Sequence, residues 1–330
     1  MLSYIDLYTD DAEFNLAAEQ YIFDELPRDR SWFMLWQNRK AVIIGKYQNT
    51  LAEINESFIR ENGIQVVRRL SGGGAVYHDM GNLNFTFITD AGEADKLNMK
   101  LFCEPVIRAL AALGVKAEIN GRNDMTIDGR KFSGNAQYMR NGRIMHHGTI
   151  MFDSDLETVG SALKVDPEKI QSKGTKSVRS RVTNVRPYLA GDCGIDEFRR
   201  TLLQSIVSSD VSECYEFSAE DIRRIEEIKM CRYSLWEWNY GRSREASIIK
   251  KKRIEGCGTV EARISTDRGL IRELSFSGDF FSTEEPSILA ERFIGIRPEK
   301  DEYARVLEGI DVSKFFLGME NDELISLLCS

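Results

Sequence analysis

The six cysteines of this 330-residue chain (103, 193, 214, 231, 257 and 329) include no Cys-x-x-Cys pair. Thiols scattered in this way fit a reducing compartment better than a disulfide framework or a zinc site. No apolar run approaches the about 20 residues that a bilayer-spanning helix needs, so no membrane association is expected. Residues Met1–Asp11 lack the basic start and apolar core of a signal peptide, and they are too acidic for a transit peptide. The expected location is therefore the cytoplasm. Basic residues show no excess either. Against 44 Lys and Arg stand 52 Asp and Glu, a net charge of −8. A nucleic-acid binder usually carries the opposite balance, so no nucleic-acid partner is expected. Internal repeats and low-complexity tracts are absent. What remains, with 42% hydrophobic and 29% charged residues, is an ordinary globular composition.

The length exceeds that of a usual single domain and favours one large domain with a smaller one. Helical periodicity runs over 10–26, where Asp10 or Asp11 can cap and Pro27 follows the end. A second helix is predicted from Leu51 to Glu61. A third spans Leu97–Leu113, with Pro105 expected to kink it or mark its true start. Residues 115–152 read as strands joined by Asp128-Gly129 and Asn141-Gly142, two type I′ hairpin signals. Amphipathic helices follow at Ile195–Val207 and Ser218–Met230, the latter opened by Ser218-x-x-Asp221 of capping-box type. Beyond Gly241-Arg-Ser243 the pattern changes to a three-stranded meander and further helices. The expected fold is α+β: a large mixed or antiparallel sheet domain flanked by helices (1–245), then a small α+β C-terminal domain (246–330).

Three segments carry chemistry. In Arg68-Arg-Leu-Ser-Gly-Gly-Gly-Ala-Val-Tyr-His78, three glycines at a strand end let backbone N–H groups approach a ligand, and two arginines can supply charge. An anion site and a plain tight turn both fit. The spacing matches neither G-x-x-x-x-G-K-[ST] nor the Rossmann fingerprint. The second segment joins Gly121-Arg-Asn-Asp124, Lys131-Phe-Ser-Gly-Asn-Ala-Gln137 and His146-His-Gly148. Alternation along a strand sends His146 and His147 to opposite faces, so they cannot share a metal, and one of them faces the site. The third, Lys173-Gly-Thr-Lys-Ser-Val-Arg-Ser-Arg-Val-Thr-Asn184, suits either a loop that closes over phosphates or a solvated charged loop.

In this order and spacing, the segments resemble the bacterial lipoate–protein ligases. The likeness covers roughly residues 5–240, and the tail matches that family's small C-terminal domain in length and position. The resemblance implies a catalytic domain of the kind shared with biotin ligases. Arg69, Gly74, Ala75, Val76 and Tyr77, by backbone and side chain, would line the ATP or adenylate site. Lys131 would touch both the lipoate carboxyl and the α-phosphate. Trp36, Arg69, Gly73, Gly74, His78 and His147 would belong to the lipoate pocket. Lys173, Ser177, Arg179 and Arg181 would lie in the adenylate-binding loop within Leu163–Val182, and Asp124 is a candidate Mg²⁺ ligand. The implied partners are lipoyl domains of 2-oxoacid dehydrogenases or the glycine cleavage H protein, and a monomer is expected.

The implied chemistry uses no protein nucleophile. A lipoate carboxylate attacks the α-phosphorus of ATP, and an acceptor lysine then displaces AMP, so positioning and charge neutralisation dominate. An octanoyl transferase of the same fold needs a cysteine just upstream of the Lys131 strand, and Glu118–Arg130 holds none. The glycine wording and the His-His-Gly strand speak against a biotin ligase. The retained Arg69, glycines and Lys131 speak against a non-catalytic lipoate-binding subunit.

Overall fold

The computed structural model describes residues 2–90, 98–121, 123–164, 182–207, 212–240, 248–267 and 270–329. In chain order the first half holds β1 (Leu2–Asp6), α1 (Ala12–Asp24), β2 (Ser31–Trp36), β3 (Ala41–Ile44), α2 (Thr50–Glu53) and α3 (Glu56–Glu61). Next come β4 (Gln65–Arg68), β5 (Val76–His78), β6 (Asn82–Asp90), α4 (Met99–Ala112), β7 (Glu118–Asn120), β8 (Asp124–Ile127), β9 (Arg130–Arg140) and β10 (Arg143–Met151). They are followed by α5 (Leu156–Ala162), α6 (Ile195–Ile206), β11 (Ser212–Cys214), α7 (Ala219–Ile228) and α8 (Trp236–Asn239). The last third has β12 (Ile248–Ile254), β13 (Gly258–Asp267), β14 (Leu270–Gly278), α9 (Pro286–Glu291), α10 (Lys300–Val306) and α11 (Asn321–Cys329).

Local chemistry starts and stops these elements. Asp11 caps α1 by accepting the Glu13 N–H at 3.0 Å. Ser218 and Asp221 form a reciprocal capping box at α7. Asp128 (φ 51°) with Gly129 (φ 72°), and Asn141 (φ 51°) with Gly142 (φ 70°), hold positive φ, as I′ turns demand. The predicted helix 51–61 is instead two short ones. Ile54 bridges Leu163 and the Asn55 N–H bonds to the Ala162 carbonyl, so the chain gives up helical continuity for a tertiary contact. Pro105 lies inside α4 rather than at its start. The carbonyl it cannot pair is that of Leu101, an exposed residue where water serves.

The main sheet runs β11-β1-β2-β6-β10-β9-β8-β7, parallel around β1 and antiparallel from β2 onward. Both faces are covered. Trp32, Met34 and Trp36 point towards α1, while Phe33 and Leu35 point towards α4 and α6. A second sheet, β4-β3-β5, packs on the α1 side through Ala41, Ile43 and Val67. The meander β12-β13-β14 forms the third sheet and has a core of its own with α9, α10 and α11. One residue from the N-terminal half joins that core. Tyr47 stacks on Phe280 at 4.7 Å and 10°, and its hydroxyl meets Ser282 at 2.5 Å.

Candidate active site

A pocket enclosing about 550 Å³, counting its open mouth, lies between the β4-β3-β5 sheet and β9–β10 of the main sheet. Its apolar end is made by Leu16 of α1, Trp36 at the end of β2, and Ile43. One wall consists of Arg69, Gly74, Ala75, Val76 and His78; the other of Lys131, Gly134, Asn135, Ala136, His147, Gly148 and Thr149. The sheet pairing explains how these come together. The antiparallel pairing of β5 with β3 turns Val76 and His78 inward, and the register His147↔Ala136 places β10 beside β9.

Three expectations from the glycine segment need correction. Tyr77 does not present its side chain to the pocket. It alternates to the far face, packed with Val42, Ile44 and Ile54, where burial pushes its hydroxyl up to about 12. Gly73 does not offer its N–H to a ligand: at φ 89° it donates to the Phe280 carbonyl at 3.0 Å. Arg68 supplies no charge to the site either. It is fully buried and donates to the carbonyls of Trp238, Gly45, Gln48 and Asn239, tying the loop after β3 to α8.

Arg69 lines the pocket, yet most of its donors are spent on its own loop. Nε reaches Ser71 Oγ at 2.9 Å, Nη1 the Ile43 carbonyl at 3.2 Å, and Nη2 the carbonyls of Gly72 (2.6 Å) and Gly74 (2.8 Å). Burial lowers its pKa to about 10, and Glu19 opposes that shift. Its first role is to buckle the glycine loop into shape.

The two strand histidines divide as alternation requires. His147 faces the pocket. His146 lies behind the sheet, stacked on Phe102 and Phe85, where burial, and then His147, drop it to about 3. His78 is likewise held near 3, first by burial and then by Arg69 and His147. Asn38 donates to His78 Nδ1 at 3.0 Å, which puts the ring proton on Nε2. That buried donor has no partner among the described residues, a vacancy that a bound molecule in the pocket would fill.

Lys131 stands at the mouth, its side chain 34% exposed, with Nζ 2.7 Å from Asp124 Oδ1. The Asp124 carboxylate is thus the counter-ion of the lysine. Among the described residues no three His, Cys, Asp or Glu side chains gather as a metal cage. Asp124 could give a cation one oxygen, the remaining ligands coming from phosphates and water, which is how Mg²⁺ is commonly held. Val182 and Thr183 pair with the Lys131 backbone. Lys173, Ser177, Arg179 and Arg181 lie outside the described residues.

Sequence reading passed over Glu19, which lies beneath His147, and Asn135 and Thr149 in the β9–β10 wall. A carboxylate on the apolar side of an amphipathic helix was the one available signal for Glu19, at 1% exposure.

A glycine-rich loop facing a lysine across an apolar cleft fits a class: enzymes that bring a phosphate-bearing substrate to the polar end of an apolar one. The chain belongs to the lipoyl protein ligase family. The profile described as lipoyl protein ligase A/B catalytic domain matches residues 11–207, and that of the bacterial lipoate protein ligase C-terminus matches residues 243–328. Lipoate-protein ligase LplJ of Bacillus subtilis is 44% identical over 321 residues, covering 96% of this chain and 97% of that protein. A crystal structure of lipoate-protein ligase A bound with ATP superposes with a TM-score of 0.62 at 27% identity, over 72% of this chain and 98% of that one. The P. falciparum LipL1 structure with lipoate shares the fold over 100% of both chains, at a TM-score of 0.80 and 21% identity.

Proposed function

We propose that this lipoate–protein ligase forms lipoyl-AMP in the pocket described and passes the lipoyl group to a lysine of an acceptor domain. The observation that carries the reading is Lys131, a cation at the rim where the apolar cleft meets the glycine loop. The aliphatic chain and ring of lipoate would lie towards Leu16 and Trp36, with His78 Nε2–H as a donor. The carboxylate would then reach Lys131. One carboxylate oxygen attacks the α-phosphorus, its bond to pyrophosphate breaks, and Lys131 neutralises the two anions it brings together. Mg²⁺, when bound, supplies charge for the pyrophosphate, with Asp124 as the side chain placed to help hold it. In the second step the acceptor amine attacks the anhydride carbonyl, AMP leaves, and the extra amine proton passes to solvent.

The lipoyl domains of 2-oxoacid dehydrogenases, or the H protein, are the proposed acceptors, and the working form is proposed to be a cytoplasmic monomer. No helix among the described residues is long and apolar enough to cross a membrane. A division near residue 245 into a catalytic and an accessory domain is part of this proposal. Pyrophosphate release from ATP, dependent on lipoate, tests the first step; lipoylation of a purified acceptor domain tests the second. Binding of lipoate without either product would make the chain a carrier and overturn the reading.

A further inference from the structure

Glu19 is 1% exposed and makes no ion pair with Lys or Arg among the described residues, a costly place for a carboxylate. Its oxygens instead collect hydrogen bonds from below the pocket. Thr86 Oγ1 donates to Glu19, and Trp36 Nε1 donates to Thr86 at 2.9 Å. His147 Nδ1 lies 3.0 and 3.1 Å from the two carboxylate oxygens. His147 Nε2 lies 2.6 Å from Ser71 Oγ, which also takes the Arg69 Nε–H at 2.9 Å. Trp36, His147 and Arg69 all line the pocket, so three of its side chains hang on one buried anion.

The direction proposed for this chain gives each of its protons an acceptor. Ser71 is 1% exposed, and its oxygen already accepts from Arg69. Giving its single proton to His147 Nε2, the other partner, places the His147 proton on Nδ1, facing Glu19. Serine, histidine and glutamate thus stand in the order of a hydrolytic triad. Ser71 is not offered as a nucleophile: its oxygen is buried, and one of its lone pairs accepts from Arg69.

Resting on the ligase reading above, we propose that Glu19 is a positioning residue for adenylate formation. Through His147 and Ser71 it holds Arg69, and through Arg69 the carbonyls of Gly72 and Gly74. The shape of the loop is thereby set before any substrate arrives. A neutral amide cannot replace the carboxylate, because Gln at 19 must turn an N–H towards either Thr86 or His147, both of which donate.

The test combines spectroscopy with a mutant cycle. With only three histidines in the chain, ¹⁵N-labelled imidazoles in the resting enzyme can be assigned individually. His147 should show the Nδ1–H tautomer. Glu19→Gln and Ser71→Ala should each lower kcat for pyrophosphate release about tenfold or more per folded molecule, since misplacing groups by an ångström costs rates of this order. The double variant should be no slower than the worse single one. Multiplicative losses in the double variant, an unchanged kcat per folded molecule in Glu19→Gln, or an Nε2–H tautomer at His147 would each overturn the proposal. Absence of lipoate-dependent pyrophosphate release from the unmodified enzyme would sink the ligase reading instead, and the tautomer would still decide the network.

Discussion

The two walls of the pocket are built on opposite principles. On the glycine-loop wall, the side chains of Arg69 and Ser71 and the Gly73 N–H are already engaged by the protein. Arg69 donates to its own loop, Ser71 sits between Arg69 and His147, and the Gly73 N–H is taken by Phe280. On the β8–β9 side, Lys131 has one counter-ion among the described residues and lies a third exposed at the rim. The first wall is a template whose shape is fixed before binding. The second holds a charge that, in the proposed reaction, would exchange Asp124 for incoming anions. Preorganisation and mobility, both needed for joining two anions, are divided between two segments.

Removing the mobile charge should have the largest effect on rate. Lys131→Ala should lower lipoate-dependent pyrophosphate release by about 10²–10³-fold, while the melting transition stays nearly where it was. A variant keeping more than about a tenth of the rate would show that Lys131 is not the neutralising group, and the contrast between the walls would fail.

The template wall should fail differently. A Cβ on Gly72 would lie 2.1 Å from the Phe280 carbonyl, a backbone atom that cannot step aside alone. Gly72→Ala should therefore detach the C-terminal unit from the loop, with faster hydrogen exchange at the Gly73 amide and pyrophosphate release about tenfold slower. Unchanged exchange at Gly73 would show that the contact with Phe280 does not hold the loop.

Acid should loosen the molecule through its buried imidazoles. His78 and His146 are depressed from the ordinary 6.5 to about 3, so the unfolded chain takes up protons that the folded one refuses. Their contribution to stability is complete above pH 6.5 and falls as the pH drops towards 3. Between pH 6.5 and 5 the loss should be about 2 kcal/mol for each histidine. Urea melts of His146→Gln should show a shallower fall over that interval than the unmodified chain. An equal fall would mean that His146 is protonated in the folded state.

The smallest effect belongs to the seam between the two halves. Tyr47→Phe keeps the stacking on Phe280 and loses only the hydroxyl contact with Ser282, which should cost about 1 kcal/mol. Thermal unfolding measures it, and a loss of several kcal/mol would mean that the hydroxyl, not the ring, fastens the seam.

Several features were legible in the sequence for local reasons. The I′ turns at Asp128-Gly129 and Asn141-Gly142, the Ser218–Asp221 capping box and the opposite facing of His146 and His147 follow from residues within a few positions of one another. So did the α+β class and the terminal meander, because alternation and turn residues report strands directly. The site segments were recognisable because glycines, arginines and the lysine lie in short contiguous runs.

The tertiary structure alone decided which of those groups remain available to a ligand. The sequence presents Arg68, Arg69 and Tyr77 as equals in one motif. Folding spends Arg68 on α8, Arg69 on the loop carbonyls, and turns Tyr77 into a different core. Glu19 meets His147 across 128 positions, and Phe280 closes on Gly73 from the segment after β14. Such pairings depend on how sheets stack and which buried donors need acceptors. A residue's own neighbourhood in the chain fixes its conformation, but whether its charge or N–H is free to bind is settled by partners brought from far away.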